Sequence, residues 1–362
     1  MARGSLAILS TENLLHNLSV IKQRAPSAQI IAMVKANAYG HGLRSVSLRL
    51  ERHVDSLGVA CIEEAIALRK VGIKIPITLM EGIFEPDELL IAACEKFPVV
   101  FHEPTQLEWL ARATVPTKIT AWLKVDTGLG RLGFSCDYAE SAYEQLVRSR
   151  SVVQPIGIMS HFGCADIKDH PANQFQQNRF MGFVAQKAGP KSFANSAALF
   201  QFPGAHYDVI RPGAALYGVS PIAGVSAAEL GLKPVMTMQT RLIAVRFGRR
   251  GSTIGYGARY VCPEDMPIGV IAMGYGDGLP RTTRDGAPVL VNGRRCAFVG
   301  RVSMDMATID LRNSPTARVG DHVVLWGDGL PLEELAPFTD HIAYDILTGV
   351  QPRIRFHWTL NV

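Results

Sequence analysis

The sequence predicts an α/β protein in two parts: an N-terminal (β/α)8 barrel of the TIM type over residues 1–228, then a mostly antiparallel β domain over residues 229–362. Three observations lead there. Short apolar runs alternate with helical stretches as far as Gly218, and such alternation means parallel strands joined by crossover helices. The runs number about eight, the count that closes such a sheet into a barrel. Beyond Gly218 the texture changes to apolar or alternating runs separated by Gly-Arg, Asn-Gly and Asp-Gly turns, the pattern of antiparallel strands.

Residues 11–25 place Leu14, Leu15, Leu18 and Ile21 at helical spacing behind a Ser10/Thr11 cap, and Pro26 stops the helix. The first barrel strand is 30–34, an apolar run that carries into Lys35 and is broken by Gly40 and Gly42. Strands follow at 56–60, 76–80, 99–102, 119–126, 155–161, 191–196 and 207–211. Helices at 61–71, 87–95, 104–113, 138–149 and 171–188 lie between them. Residues 219–234 are rich in Pro, Gly, Ala and Ser and read as a linker. The β domain runs through 235–247, 252–261, 269–274, 288–291, 295–311 and 322–326, and the first few residues of the chain are free to pack with it.

Hydrophobic residues make up 48% and charged residues 19% of the chain, which excludes a disordered chain and is ordinary for a globular enzyme. A net charge of +5 without a dense Lys/Arg cluster suits small anions rather than nucleic acid. The six cysteines lie far apart, with no C-x-x-C and no metal-ligand spacing. A reducing compartment is therefore expected, and a metal is not. The N-terminal apolar run is too short for a signal peptide, and nothing approaches the ~18 apolar residues of a spanning helix. The expected location is the cytoplasm, with no membrane partner.

Active sites of such barrels lie at the C-terminal ends of the strands. Those ends supply Lys35, Lys124 with Asp126, His161, Asn195-Ser196 and Arg211. Lysine is unusual at the end of a strand buried on both faces, where an ammonium either pairs with a carboxylate or gives up its charge. A lysine that gives it up is the usual nucleophile toward an aldehyde; the alternative is a lysine reaching into solvent. Strands seven and eight commonly hold a phosphate in this architecture. Ser196 offers a hydroxyl and a backbone N–H at a helix start. Gly213, after Arg211, lets the backbone approach closely, and the N–H of Ala214 follows. Together with Lys35 these residues fit a phosphorylated aldehyde.

Val34-Lys35-Ala36-Asn37-Ala38-Tyr39-Gly40-His41-Gly42 closely resembles the lysine signature of the alanine racemases, which depend on pyridoxal 5'-phosphate (PLP). Lys124-Val125-Asp126-Thr127-Gly128-Leu129-Gly130-Arg131-Leu132-Gly133, Ser160-His161-Phe162, Asn195-Ser196 and residues 210–218 match further motifs of that family. In the β domain, residues 253–260, 274–278 and 300–306 do so as well, and the matches reach about residue 353. The resemblance implies PLP carried on Lys35, with Tyr39, Asn195, Ser196, Gly213 and Ala214 around it. Arg131 is implied to bond the PLP phenolic oxygen and the substrate carboxylate. Arg211 is implied to face the pyridine nitrogen, where a permanent cation keeps that nitrogen unprotonated and the ring a weaker electron sink. That suits racemisation; an acidic partner would imply the opposite chemistry.

The same resemblance implies a carbamylated Lys124 that orients Arg131, the alternative being a lysine paired with Asp126. Tyr256 is the implied second base, supported through His161 and Arg211, with Tyr260 the residue most easily confused with it. Free tyrosine titrates at about 10, so its phenolate needs neighbouring charge. Met304 is implied to donate its N–H to the substrate carboxylate, and Tyr275 and Asp277 to stand at the mouth of the access channel. In the family these β-domain residues reach the barrel of the other subunit, so a head-to-tail homodimer with shared sites is implied. Some members carry a phosphate-contacting tyrosine where this chain has Pro352, so that contact is expected to be missing. The implied activity interconverts L- and D-alanine through Lys35 and Tyr256, supplying D-alanine for cell-wall peptidoglycan. Rival readings are a racemase for serine or basic amino acids, a non-catalytic PLP-carrying barrel, and a barrel decarboxylase. The second domain and Tyr256 speak against the non-catalytic barrel, and Arg211 against the decarboxylase.

Overall fold

The computed structural model describes residues 4–359. Among these, one sheet of nine parallel strands holds the eight of the barrel, Gln29–Met33, Ser56–Val59, Ile77–Leu79, Val99–Phe101, Ile119–Asp126, Val152–Met159, Lys191–Ser192 and Val209–Ile210, with the short Phe134–Ser135 paired beside Ile119–Asp126. The eighth pairs with the first. The seventh and eighth meet through an Asn195–Arg211 bridge, which brings the barrel round on itself. These last two strands are shorter than expected. Their pairing continues only through single backbone bonds, Asp208 N–H to Lys191 O and Arg211 N–H to Ala194 O.

The period of two along each strand sorts the core. Ile31, Met33, Met80, Val100, Trp122, Met159 and Val209 fill the inside of the barrel, while Ile30 and Ala32 pack outward against the helices. Burying a side chain of the size of Met33 is worth ~2–3 kcal/mol. Room for the large inner residues comes from glycine: a Cβ at Gly157 would lie 2.3 Å from the Trp122 ring.

The second sheet runs in the order Met266–Ile271, Ala307–Asp310, Arg294–Val299, Pro288–Val291, His322–Trp326, Met236–Gly248, Leu6–Ser10 and Arg355–Thr359. Its pairings are antiparallel except that Leu6–Ser10 runs parallel to Arg355–Thr359. Two expected strands are broken. Over 252–261 only Thr253–Ile254 and Tyr260–Val261 pair, because Gly255, Gly257 and Ala258 take φ of 75, 73 and 50° and form a turn around Tyr256. Over 295–311 the ladder stops at Val299, where Gly300 (φ 74°) starts the loop that carries Met304.

Helices Leu43–Leu50 and Ala343–Thr348 were not expected. The second lies against the segment after Lys35: a Cβ at Gly40 would sit 1.9 Å from Leu347 O, so only glycine permits this approach. No helix among the described residues is long and apolar enough to cross a membrane.

Candidate active site

A cavity of about 670 Å³ opens at the C-terminal rim of the barrel. Lys35, Tyr39, Lys124, Arg131, His161, Asn195, Ser196, Arg211, Gly213 and Ala214 all line it. So do Glu81, Asp166, Tyr344 and Thr348, which sequence reasoning missed. Glu81 follows the strand Ile77–Leu79 and could have been found by the strand-end rule that found Lys35. Four cationic side chains against Glu81 and Asp166 leave the wall net positive, a setting for a phosphate and a carboxylate.

Lys35 leaves the barrel into an uncommon backbone. Ala36, Asn37, Ala38 and Tyr39 all have φ between 50 and 55°, a left-handed turn that costs roughly 1–2 kcal/mol per residue. Local bonds offset it: Ala38 N–H to Val34 O (2.8 Å), His41 N–H to Ala38 O (3.0 Å) and Gly42 N–H to Asn37 O (2.9 Å). Full burial pushes the His41 pKa down to about 4, so the ring is neutral and its Nδ1–H donates to Tyr39 O at 2.9 Å. Tyr39 then stacks on Tyr217 with ring centroids 4.9 Å apart. The Lys35 amine reaches Glu81, with Nζ 3.2 Å from Oε1 and both side chains about one-third exposed.

The turn sets Tyr39 against the loop after strand eight. A Cβ at Gly213 would come within 2.3 Å of the Tyr39 hydroxyl oxygen. Ser196 Oγ accepts from Gly213 N–H (2.8 Å) and Ala215 N–H (3.3 Å), leaving its own proton for an outside acceptor. Burial, reinforced by Tyr344, pushes the Tyr39 pKa up to about 12, so it remains a donor. Tyr344, on helix Ala343–Thr348, is raised in turn by burial and by Asp166. Tyr344, earlier in the same C-terminal segment as Pro352, also lines the cavity. A cradle of hydroxyls and N–H groups, too tight for a Cβ, fits a phosphate.

Arg211 is 4% exposed. It donates from Nη1 to Ser192 Oγ and from Nη2 to Ser160 O, and Nη2 lies 3.3 Å from His161 Nδ1. Burial lowers its pKa to about 10, so it is still a cation at neutral pH. His161 is driven well below its ordinary pKa, first by burial and then by Arg211. The imidazole is therefore neutral, with Nδ1 free to accept from the guanidinium and Asn195 Nδ2 3.5 Å from Nε2.

Lys124 is 7% exposed. Burial and the charges of Arg211, Arg131 and Lys35 push its pKa down to about 8. The alternative pairing with Asp126 does not occur: that carboxylate accepts from Gly128, Leu129 and Gly130 N–H instead. It shapes the loop that presents Arg131.

The β-domain candidates are not brought to this cavity within the one chain. Tyr256, Met304 and Tyr275 are 68%, 55% and 37% exposed. Asp277 is buried, its carboxylate bonded to Gly274 N–H (2.9 Å) and to Arg353 Nε (2.7 Å). Arg353 also holds Asp305 (2.8 Å) and Met304 O (3.3 Å). Asp277 thus braces the Met304 loop, and only Tyr275 of the expected pair presents itself at the surface.

Known proteins match at every level. Residues 9–221 match the family description "Alanine racemase, N-terminal domain" and residues 235–358 "Alanine racemase, C-terminal domain". The chain is 45% identical to the alanine racemase of Haemophilus influenzae over 97% of its own length and 98% of that protein's. It superposes on the crystal structure of the biosynthetic alanine racemase of Pseudomonas aeruginosa with a TM-score of 0.97, at 40% identity and covering 99% and 100% of the two chains. The alanine racemase of Bartonella henselae, solved with covalently bound pyridoxal phosphate, superposes with a TM-score of 0.88, at 27% identity and covering 98% and 99%.

Proposed function

The chain belongs to the alanine racemase family and is an isomerase acting on alanine; we propose that it does so with PLP carried on Lys35 and two bases drawn from two copies of the chain. The observation that supports this most is the cavity itself. It joins the Lys35 amine, a phosphate cradle at Tyr39, Ser196, Gly213 and Ala214, and the buried Arg211 cation in one wall.

Lys35 would hold PLP through Nζ, Tyr39, Ser196, Gly213, Ala214 and Tyr344 its phosphate, Arg131 its phenolic oxygen and Arg211 its ring nitrogen. When bound, PLP supplies an aldehyde for the amino group of alanine and a ring that draws electrons from Cα, which makes the α-proton removable. Arg131 and the Met304 N–H hold the carboxylate and so fix which bond at Cα is exposed. Lys35 Nζ takes or returns the proton on the face of D-alanine, and Tyr256 Oη on the face of L-alanine. His161, neutral and bonded to Arg211, would support the tyrosine oxygen brought by the second copy. Lys124, with a pKa of about 8, has amine free to take up carbon dioxide, and the resulting carbamate would orient Arg131.

The exposure of Tyr256, Tyr275 and Met304 supports the reading that a second copy brings them to this chain's cavity, head to tail. The six cysteines are free, in keeping with a cytoplasmic enzyme that provides D-alanine for peptidoglycan. The experiment is incubation of the protein with PLP and L-alanine and assay of D-alanine, with serine and basic amino acids as competing substrates. Lys35→Ala is expected to give colourless, inactive protein that borohydride does not label; an equally active variant would remove Lys35 from its role.

A further inference from the structure

We propose that Glu81 is a positioning residue that docks the Lys35 amine in its protonated form, whenever that amine is neither bonded to an aldehyde nor acting as the base at Cα. This rests on the reading of Lys35 as the PLP-bearing lysine. The first observation is the contact, Lys35 Nζ to Glu81 Oε1 at 3.2 Å. The second is its setting. Lys124, Arg131 and Arg211 line the same cavity with the same sign as Lys35, and their charges would drive a loose ammonium toward solvent.

The third observation is that Glu81 is presented by a built turn. Its carbonyl accepts from His102 Nε2 at 2.9 Å. His102 is held below its ordinary pKa chiefly by burial, so it is neutral and able to make that bond with Nε2–H. Gly82 follows with φ of 73°, and its N–H returns to Leu79 O at 3.1 Å. A Cβ at Gly82 would come 2.5 Å from Val100 O and from Gln106 Nε2. Gln106, buried, spans the turn by accepting from His102 N–H (2.9 Å) and donating to Ile83 O (3.0 Å). Two side chains of the next strand–helix unit thus fix where the glutamate starts. An incidental surface pair requires no such bracing.

Docking has a consequence of fixed sign. Bonding Nζ to the aldehyde carbon leaves it at most one of the three N–H donors of an ammonium, so the carboxylate favours the free amine. Lysine is free in the cofactor-less protein, bonded in the resting holoenzyme, and free again once alanine has taken its place. That exchange balances: the substrate ammonium gives its nitrogen to the carbon, the lysine nitrogen leaves, and two protons pass from the incoming to the departing amine. Removing Glu81 should tighten PLP binding and weaken alanine binding, both by the same factor. For a pair about one-third exposed the factor is roughly threefold to fivefold.

The test uses Glu81→Gln and Glu81→Ala. The PLP dissociation constant is measured by titrating cofactor-stripped protein and following visible absorbance, and KM for both alanine enantiomers is measured on the holoenzyme. The expected result is a lower Kd for PLP and a higher KM for both enantiomers, in both variants, with the gap closing in molar salt as screening removes the pair. A loosened or distorted site would weaken both ligands together. That result, or no change in either constant, overturns the proposal. If borohydride fails to label Lys35 in the parent, the lysine assignment fails instead, and the two failures are distinguishable.

Discussion

Replacing Lys124 by methionine should make the cofactor-stripped protein more stable at neutral pH. The amine is 7% exposed and its pKa is lowered from 10.5 to about 8, by burial first and by Arg211, Arg131 and Lys35 after it. At about 1.4 kcal/mol per pH unit that difference is a penalty of ~3 kcal/mol on the charged form. The sign follows from proton counts. Between pH 8 and 10.5 the unfolded chain binds the Lys124 proton and the folded chain does not, so stability rises with pH across that window. Below pH 8 both states carry it and the full penalty stands. Methionine keeps most of the volume without the charge, so the variant should gain ~1–3 kcal/mol at pH 7 and lose the advantage by pH 10.5. Urea midpoints of parent and variant across pH 7–10 measure it. A variant less stable than its parent, or a gap independent of pH, would refute the reasoning. Carbamylation adds a second arm. Near pH 7.5 roughly one quarter of the amine is neutral, enough to react with carbon dioxide. The product carboxylate would then sit among Lys35, Arg131 and Arg211, so bicarbonate should stabilise the parent and leave the variant unchanged.

Tyr256→Phe is expected to lower turnover by roughly 10²–10⁴ in both directions while Lys35 still takes up PLP; full turnover would move the second base elsewhere, with Tyr260 next in line. Gly213→Ala places a Cβ 2.3 Å from the Tyr39 hydroxyl oxygen, and relieving such a clash costs about 1–3 kcal/mol. PLP affinity should fall roughly tenfold or more, measured by the same absorbance titration, and an unchanged affinity would take Tyr39 away from the phosphate.

Much of the barrel was legible because its signal is periodic. Alternating runs gave the strands, and the strand-end rule then put Lys35, Lys124, His161, Asn195 and Arg211 on one rim, where the cavity is. What escaped was set by contacts distant in sequence or by backbone that composition does not encode. Nothing in Ala36-Asn37-Ala38-Tyr39 announces a left-handed turn, since none of the four is glycine. The turn exists because His41, Val34 and Asn37 supply its bonds and because Gly40 lets Leu347 approach. Tyr344 was not singled out, for a related reason. Its place in the cavity depends on helix Ala343–Thr348 docking on that turn, and Pro352 gave no hint of it. Asp277 was expected at the channel mouth because residues 274–278 resemble the family's channel segment; its burial was not legible there, because the partner that buries it, Arg353, lies far along the chain.

The electrostatics of the cavity suggest why such a costly arrangement persists. Lys35, Lys124, Arg131 and Arg211 face a common space with only Glu81 and Asp166 among the cavity-lining residues to offset them, so these cations repel one another. A phosphate and a carboxylate relieve that repulsion, and relief reached only on loading is binding energy the ligands receive. The strain divides the labour. Arg211 is locked by Ser192, Ser160 and His161 and stays a cation. Lys124 sits close enough to neutrality to change its charge, and Lys35 must be able to leave one partner for another. A fixed cation, an adjustable one and a mobile one need different surroundings, and the barrel rim provides them through burial at Arg211, like charges at Lys124 and a single carboxylate at Lys35. If that division is right, Lys124→Met and Glu81→Gln should be independent in their effect on stability and coupled in their effect on PLP affinity. A double-mutant cycle that gave additive PLP affinities would mean the cations do not share one field.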